Sequence, residues 1–250
     1  MIKIFKYEFR ILLCKIYVPV MLAAALIYSW NLLSSETILG VADTAPFSGW
    51  SFGKYLGDSA LINMLITLLI ISVSFSERQR KAGVLTDVTA FPVKKRILIR
   101  SILTGGYFIF GMILSFMLGC IFLGSLFGEL QLGNYLLDWA LICLPCAVLV
   151  TGMGMLLGRK SSVLIYVLML VCLVMAFVFK GMAIDINGAD YFVTMPAKLG
   201  DTENTETAFM ISGGYLITRA VYFCIGAGAF ILTCGAYGGK KSRDDVLFER

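Results

Sequence analysis

Long apolar runs without a charge recur along this chain, and basic residues cluster between them. A run of about 20 apolar residues spans the hydrocarbon of a bilayer as a helix, because lipid offers backbone groups no partner outside the segment. The pattern sets six such runs, at about 16–33, 60–75, 102–126, 135–157, 163–179 and 211–237. Over 250 residues, 59% are hydrophobic, 15% are charged and the mean hydropathy is +0.87. A soluble domain carries about 25% charged residues. The expectation is therefore an all-α, polytopic membrane protein of one domain, residues 1–250.

Residues 1–13 have apolar side chains at Ile2, Phe5, Phe9, Leu12 and Leu13, with Lys3, Lys6 and Arg10 between them. That spacing predicts an amphipathic helix lying in the membrane interface. The basic start and Ala23-Ala24-Ala25 imitate a secretory leader, but the runs that follow favour an uncleaved first span. Pro19 is expected to kink that span rather than end it.

The placement of Lys and Arg sets the expected orientation. Lys3, Lys6, Arg10 and Lys15 precede span 1. Arg78, Arg80, Lys81, Lys94, Lys95, Arg96 and Arg100 join spans 2 and 3. Arg159 and Lys160 join spans 4 and 5, and Lys240, Lys241, Arg243 and Arg250 follow span 6. The alternate connections hold only Lys54, Lys180 and Lys198. Both termini and the 77–100 loop are thus expected in the cytoplasm, with the chain in the plasma membrane. The +5 net charge follows this topology and does not point to nucleic acid.

Little in the chain looks catalytic. It has no His, which removes the commonest general base and metal ligand. Cys143 and Cys146 form a C-x-x-C without a second pair, so no metal site is expected; the seven cysteines should be thiols in or beside the spans. The nearest approach to a phosphate-binding loop ends at Gly239-Lys240. It has Cys234 where the first glycine belongs and Lys241 where Ser or Thr belongs. No ATP site, catalytic residue or cofactor is expected in this chain. Arg219 lies within span 6; it either reaches outward to water or pairs, with Asp138 near the start of span 4 or with an acid of the 180–210 connection.

The connection Glu77 to Arg100 is the longest basic insertion. Its middle is a mixed segment, Val84, Leu85, Thr86, Asp87, Val88 and Phe91, bounded by Gly83 and Pro92. With Phe75-Ser76-Glu77-Arg78 before it and Phe91-Pro92-Val93 leading into a basic cluster, it resembles the coupling-helix segment of the permease subunits of type-2 ATP-binding-cassette (ABC) exporters. The six-span layout resembles that family over the whole chain, and the 180–210 connection resembles its re-entrant extracellular element. The resemblance implies two copies of a separate ATPase subunit, carrying ATP and Mg, docked on this segment. It also implies a second permease chain, identical or a sister. On that view Glu77 and Arg78 mark the approach to the helix, and Leu85, Val88 and Phe91 offer the ATPase an apolar edge. Otherwise the loop is a solvated basic turn that only sets topology.

The resemblance further implies export of a hydrophobic or amphipathic substrate, as in lantibiotic-immunity and cytolytic-peptide exporters. Candidate pathway positions are Tyr28, Asn31, Asn63 and Thr67 on spans 1 and 2, and Met169, Met175 and Phe177 on span 5. Flexible Met suits varied apolar cargo, although ordinary packing explains these residues equally well. The alternatives are an exporter of lipid-linked sugar or polysaccharide, and a scaffold or sensor subunit that transports nothing. An intramembrane enzyme and a secondary transporter lack the His, paired acids or charged midplane site they would need.

Overall fold

The computed structural model describes residues 2–42, 44–76, 93–128, 131–178, 185–200 and 209–236. Among them lie eight α-helices, one short 3-10 turn and no strand. The helices are α1 (Ile2–Leu12), α2 (Tyr17–Ser35), α3 (Gly49–Ser74), α4 (Val93–Phe127), α5 (Leu132–Lys160), α6 (Ser162–Phe177), α7 (Ala189–Gly200) and α8 (Gly213–Ala236). Five of them, α2, α3, α4, α5 and α8, are long and apolar enough to cross a membrane. The remaining apolar run forms α6, which has only 16 residues.

Helix α3 is the centre of the bundle. It touches α2, α4, α5, α6 and α7, while α5 packs most extensively on α8. Where helices meet in lipid there is little hydrophobic drive between them, so dispersion and close backbone approach supply the attraction. Small residues make that approach possible here. Gly152 of α5 and Gly226 of α8 face each other so closely that a Cβ on either would collide with the other backbone. Gly154 meets Leu68 and Ile71 of α3, and Gly158 meets Phe75 and Ile165. The Gly154-x-x-x-Gly158 pair is thus a packing surface for α3 and the start of α6.

Two helices begin earlier than their composition suggests. The Gly-, Ser- and Asp-containing stretch before residue 60 reads as a loop, yet α3 starts at Gly49. Ser48 caps it, accepting the Ser51 N–H at 3.3 Å. Gly49, Gly53 and Gly57 then recur every fourth residue and form a shallow track on α3. A Cβ at these three sites would strike Phe209, Phe192 and Ala189 respectively. The glycines that look like turn formers are therefore helical, and they admit α7 and Phe209 of the segment leading into α8. Helix α4 begins at Val93 rather than at about 102, so the basic cluster Lys94-Lys95-Arg96 is its first turn.

Several polar residues in the apolar helices bond to one another between helices. Ser29, Ser59 and Ser115 join α2, α3 and α4 through hydroxyl contacts of 3.2 and 3.1 Å. The Tyr55 hydroxyl donates to the Ser115 carbonyl at 2.7 Å.

Candidate functional site

Three helices converge where the described chain leaves α3 at Ser76 and resumes at Val93. Helix α1 is amphipathic, as expected, with observed bounds Ile2–Leu12. One of its faces, carrying Glu8 and Leu12, is buried. Leu12 packs with Ile99 and Leu103 of α4. Phe5, Tyr7 and Phe9 remain exposed, with the Phe5 and Phe9 rings stacked one turn apart. Part of the apolar side of α1 is thus exposed, and its one acid is turned toward protein.

Glu8 is 2% exposed and Arg100 8%. The Arg100 Nε donates to Glu8 Oε2 at 2.7 Å, and its second terminal nitrogen reaches Oε1 at 3.4 Å. Arg96, one turn earlier on α4, stands 3.6 Å from Glu8 Oε1. The remaining Arg100 nitrogen donates to the Ser74 carbonyl at 3.3 Å, near the end of α3 where helical carbonyls lack partners. One buried guanidinium therefore ties α1, α3 and α4 together. Bidentate Arg–carboxylate geometry is rigid as well as strong.

This junction was only half visible in the sequence. Arg100 counts among the basic residues that set topology, but Glu8 carries no motif. A usable signal exists: Glu8 is the sole acid before Glu36, set among Lys3, Lys6, Arg10 and Lys15. A lone acid on a basic amphipathic helix is a sign of a fixed basic partner.

The expected coupling segment, with Glu77, Gly83, Val84, Leu85, Thr86, Asp87, Val88, Phe91 and Pro92, lies outside the described residues. So does the charged tail after Ala236.

A second cluster forms at the other end of α3. Arg219 is 2% exposed. It donates to the Ile186 and Asp185 carbonyls, both at 2.9 Å, and stands 3.5 Å from the Asp185 carboxylate. Its guanidinium also lies 4.7 Å from the Tyr215 ring centroid. The carboxylate of Asp185 accepts the N–H groups of Gly188 at 2.7 Å and Tyr191 at 3.2 Å. Burial pushes the Asp185 carboxyl up from the usual aspartate range, while Arg219 and those two N–H groups oppose the push. Asn187 donates to the Gly57 carbonyl at 3.3 Å. Together these bonds fasten the 185–188 turn to α8 and α3, and α7 follows it back onto the bundle. Phe192 of α7 is fully buried between Trp50 and Tyr215.

The proposed partner of Arg219 therefore changes. The structure sets it against Asp185, one of the acids of the 180–210 connection, and not against Asp138. The reason is geometric: a guanidinium bonding two successive carbonyls of the 185–188 turn is held beside the carboxylate of that turn. Asp138 is fully buried, and among the described residues neither of its oxygens has a hydrogen-bond partner.

The candidate pathway positions do not come together. Tyr28 and Asn31 lie on exposed parts of α2. Asn63 and Thr67 are buried in α3; Asn63 Nδ2 donates to the Ser59 carbonyl at 2.9 Å and the Thr67 hydroxyl to the Asn63 carbonyl at 2.7 Å. Met169 is half-buried against the main core, Met175 is half-buried, and Phe177 is 61% exposed. Asn63 also sits so close to α4 that a side chain at Gly111 would strike its Oδ1. Asn63 thus packs at the contact of α3 with α4.

Compared with family models, with curated proteins and with solved structures, the chain matches none.

Proposed function

We propose that this chain is the membrane-spanning subunit of an ATP-driven exporter for a hydrophobic or amphipathic substrate, with ATP hydrolysis in a separate ABC ATPase. In this reading α6 is a sixth, short crossing, and both termini and the 77–92 segment face the cytoplasm of a plasma-membrane protein. Two ATPase subunits dock on the Leu85, Val88 and Phe91 edge, and a second permease chain completes the pathway.

The observation that carries the reading is the Glu8–Arg100–Ser74 junction. It clamps together the two helices that enter and leave the 77–92 segment, and adds the interfacial helix to the same point. A partner pulling on that segment would move α3 and α4 as a unit against lipid, which is what a coupling element requires. The basic residues Arg96 and Arg100 support the inward orientation through the positive-inside bias.

The test is co-purification of the full chain from its native membrane, with the ATPase identified by mass spectrometry, for wild type and the Leu85→Asp/Val88→Asp double variant. Wild type should retain an ABC ATPase and the correctly folded variant should release it. An ATPase held equally by both, or by neither, would refute docking at this segment. A bound ATPase whose hydrolysis no amphipathic cargo stimulates in proteoliposomes would favour the scaffold or sensor alternative.

A further inference from the structure

Asp138 is the one fully buried carboxyl among the described residues with no hydrogen-bond partner on either oxygen. It lies in the second turn of α5, a helix long and apolar enough to cross a membrane. Several polar groups of α5 and of the helices packed on it are bonded elsewhere. Tyr135, one turn earlier on the same helix, gives its hydroxyl to the Phe47 carbonyl at 2.5 Å. Tyr55 of α3 gives its own to the Ser115 carbonyl. Arg219 of α8 spends both terminal nitrogens on the 185–188 turn. Tyr215 of α8, whose hydroxyl also has no hydrogen-bond partner among the described residues, is within electrostatic range of Asp138, and Cys120 of α4 is within electrostatic range of Tyr135. From α6, Cys172 is the buried titratable group, and it brings no positive charge.

An ionised carboxylate removed from water without a donor or a cation is so costly that such groups neutralise instead. The Arg100–Glu8 contact shows that the same bundle supplies a cation where it holds a buried carboxylate. At Asp138 it supplies none. We infer that Asp138 is a proton-binding site of the membrane bundle: the carboxyl is held as the neutral acid, and losing its proton forces α5 to shift until water or a cation reaches it. Among the described residues neither oxygen has a hydrogen bond to pass a proton along, so the site is a switch that senses protons and not a route for them. This inference stands independently of the exporter reading, since it uses only the packing of α5.

Infrared spectroscopy of the full chain in lipid nanodiscs tests it. A neutral carboxyl without a hydrogen bond has a C=O stretch resolved above the amide band, and a carboxylate has none there. Near neutral pH, the wild-type minus Asp138→Asn difference spectrum should show that band. It should fade in wild type as the pH is raised, and Asp138→Glu should shift it. An unfolded aspartate ionises at about pH 4 while this carboxyl keeps its proton in the fold, so wild-type melting temperature should fall as the pH rises from about 4 through neutral, and Asp138→Asn should lack that fall. Absence of the band in wild type near neutral pH, the outcome for a carboxylate solvated by trapped water, would overturn the inference. If Asp138→Asn does not fold, the wild-type titration and the Asp138→Glu shift decide the question alone.

Discussion

Removing the Glu8 charge should loosen the end of the bundle from which the 77–92 segment departs. The side chain is 2% exposed, it accepts two bonds from Arg100, and Arg100 is itself 8% exposed. Taking one partner from a buried ion pair costs about 3–5 kcal/mol, because the other charge stays buried. The Arg96 contact is longer and its side chain is 25% exposed, so it adds at most about 1 kcal/mol. For a chain of this size each kcal/mol moves the melting temperature by about 2–4 °C. Glu8→Gln should therefore melt roughly 6–20 °C below wild type. The same variant should expose the α1–α2 connection to trypsin at Arg10 and Lys15. A double-mutant cycle isolates the pair: Glu8→Leu/Arg100→Met replaces it by apolar side chains and should recover most of the loss. Losses from Glu8→Leu and Arg100→Met that simply add, or a Glu8→Gln melt indistinguishable from wild type, would refute the clamp.

The glycine track on α3 gives a sharper packing test. Gly57→Ala places a Cβ within 2.7 Å of the Ala189 backbone nitrogen, which cannot rotate away, and should cost about 1–3 kcal/mol by thermal melting. Gly106→Ala, on α4 with open space around it, should be neutral or stabilise by up to about 1 kcal/mol. At Gly188 the backbone is left-handed (φ 89°), and a Cβ would meet the Arg219 guanidinium. Gly188→Ala should thus lose about 1–2 kcal/mol from the backbone alone, read as a lower melting temperature. Replacing Arg219 and Asp185 together should show a coupling of about 0.5–3 kcal/mol in a melting cycle, whereas Arg219 and Asp138 should be additive.

The sequence is most legible where the solvent dictates the structure. Apolar runs between basic clusters announce an all-α chain, and α1 matches its forecast within a residue or so at each end. Composition misleads where small residues do two jobs. Gly49, Gly53 and Gly57 suggest a loop by type, and only their four-residue spacing reveals a helix face made for contact. The fifth apolar run, at about 163–179, forms α6, which ends at Phe177 and is shorter than the five long apolar helices. Partners between distant segments were the least legible. Arg219 was recognisable as a charge needing an answer, yet the choice of Asp185 over Asp138 depends on where the 185–188 turn lands on α8. Glu8 met Arg100 across 92 residues, with nothing local to mark the pair.

Helix α4 has 35 residues without a break. At 1.5 Å per residue it is about 52 Å long, against about 30 Å of hydrocarbon. Roughly 20 Å of rigid rod therefore extends past the apolar layer. A tilt of only ~10° about one end carries the other end about 9 Å sideways, since a helix this long transmits rotation without bending much. The clamp at Arg96 and Arg100 grips this rod near its basic end. Its other end, with Phe116, Phe122 and Leu123, packs among the other helices, so the two ends of the rod cannot move separately.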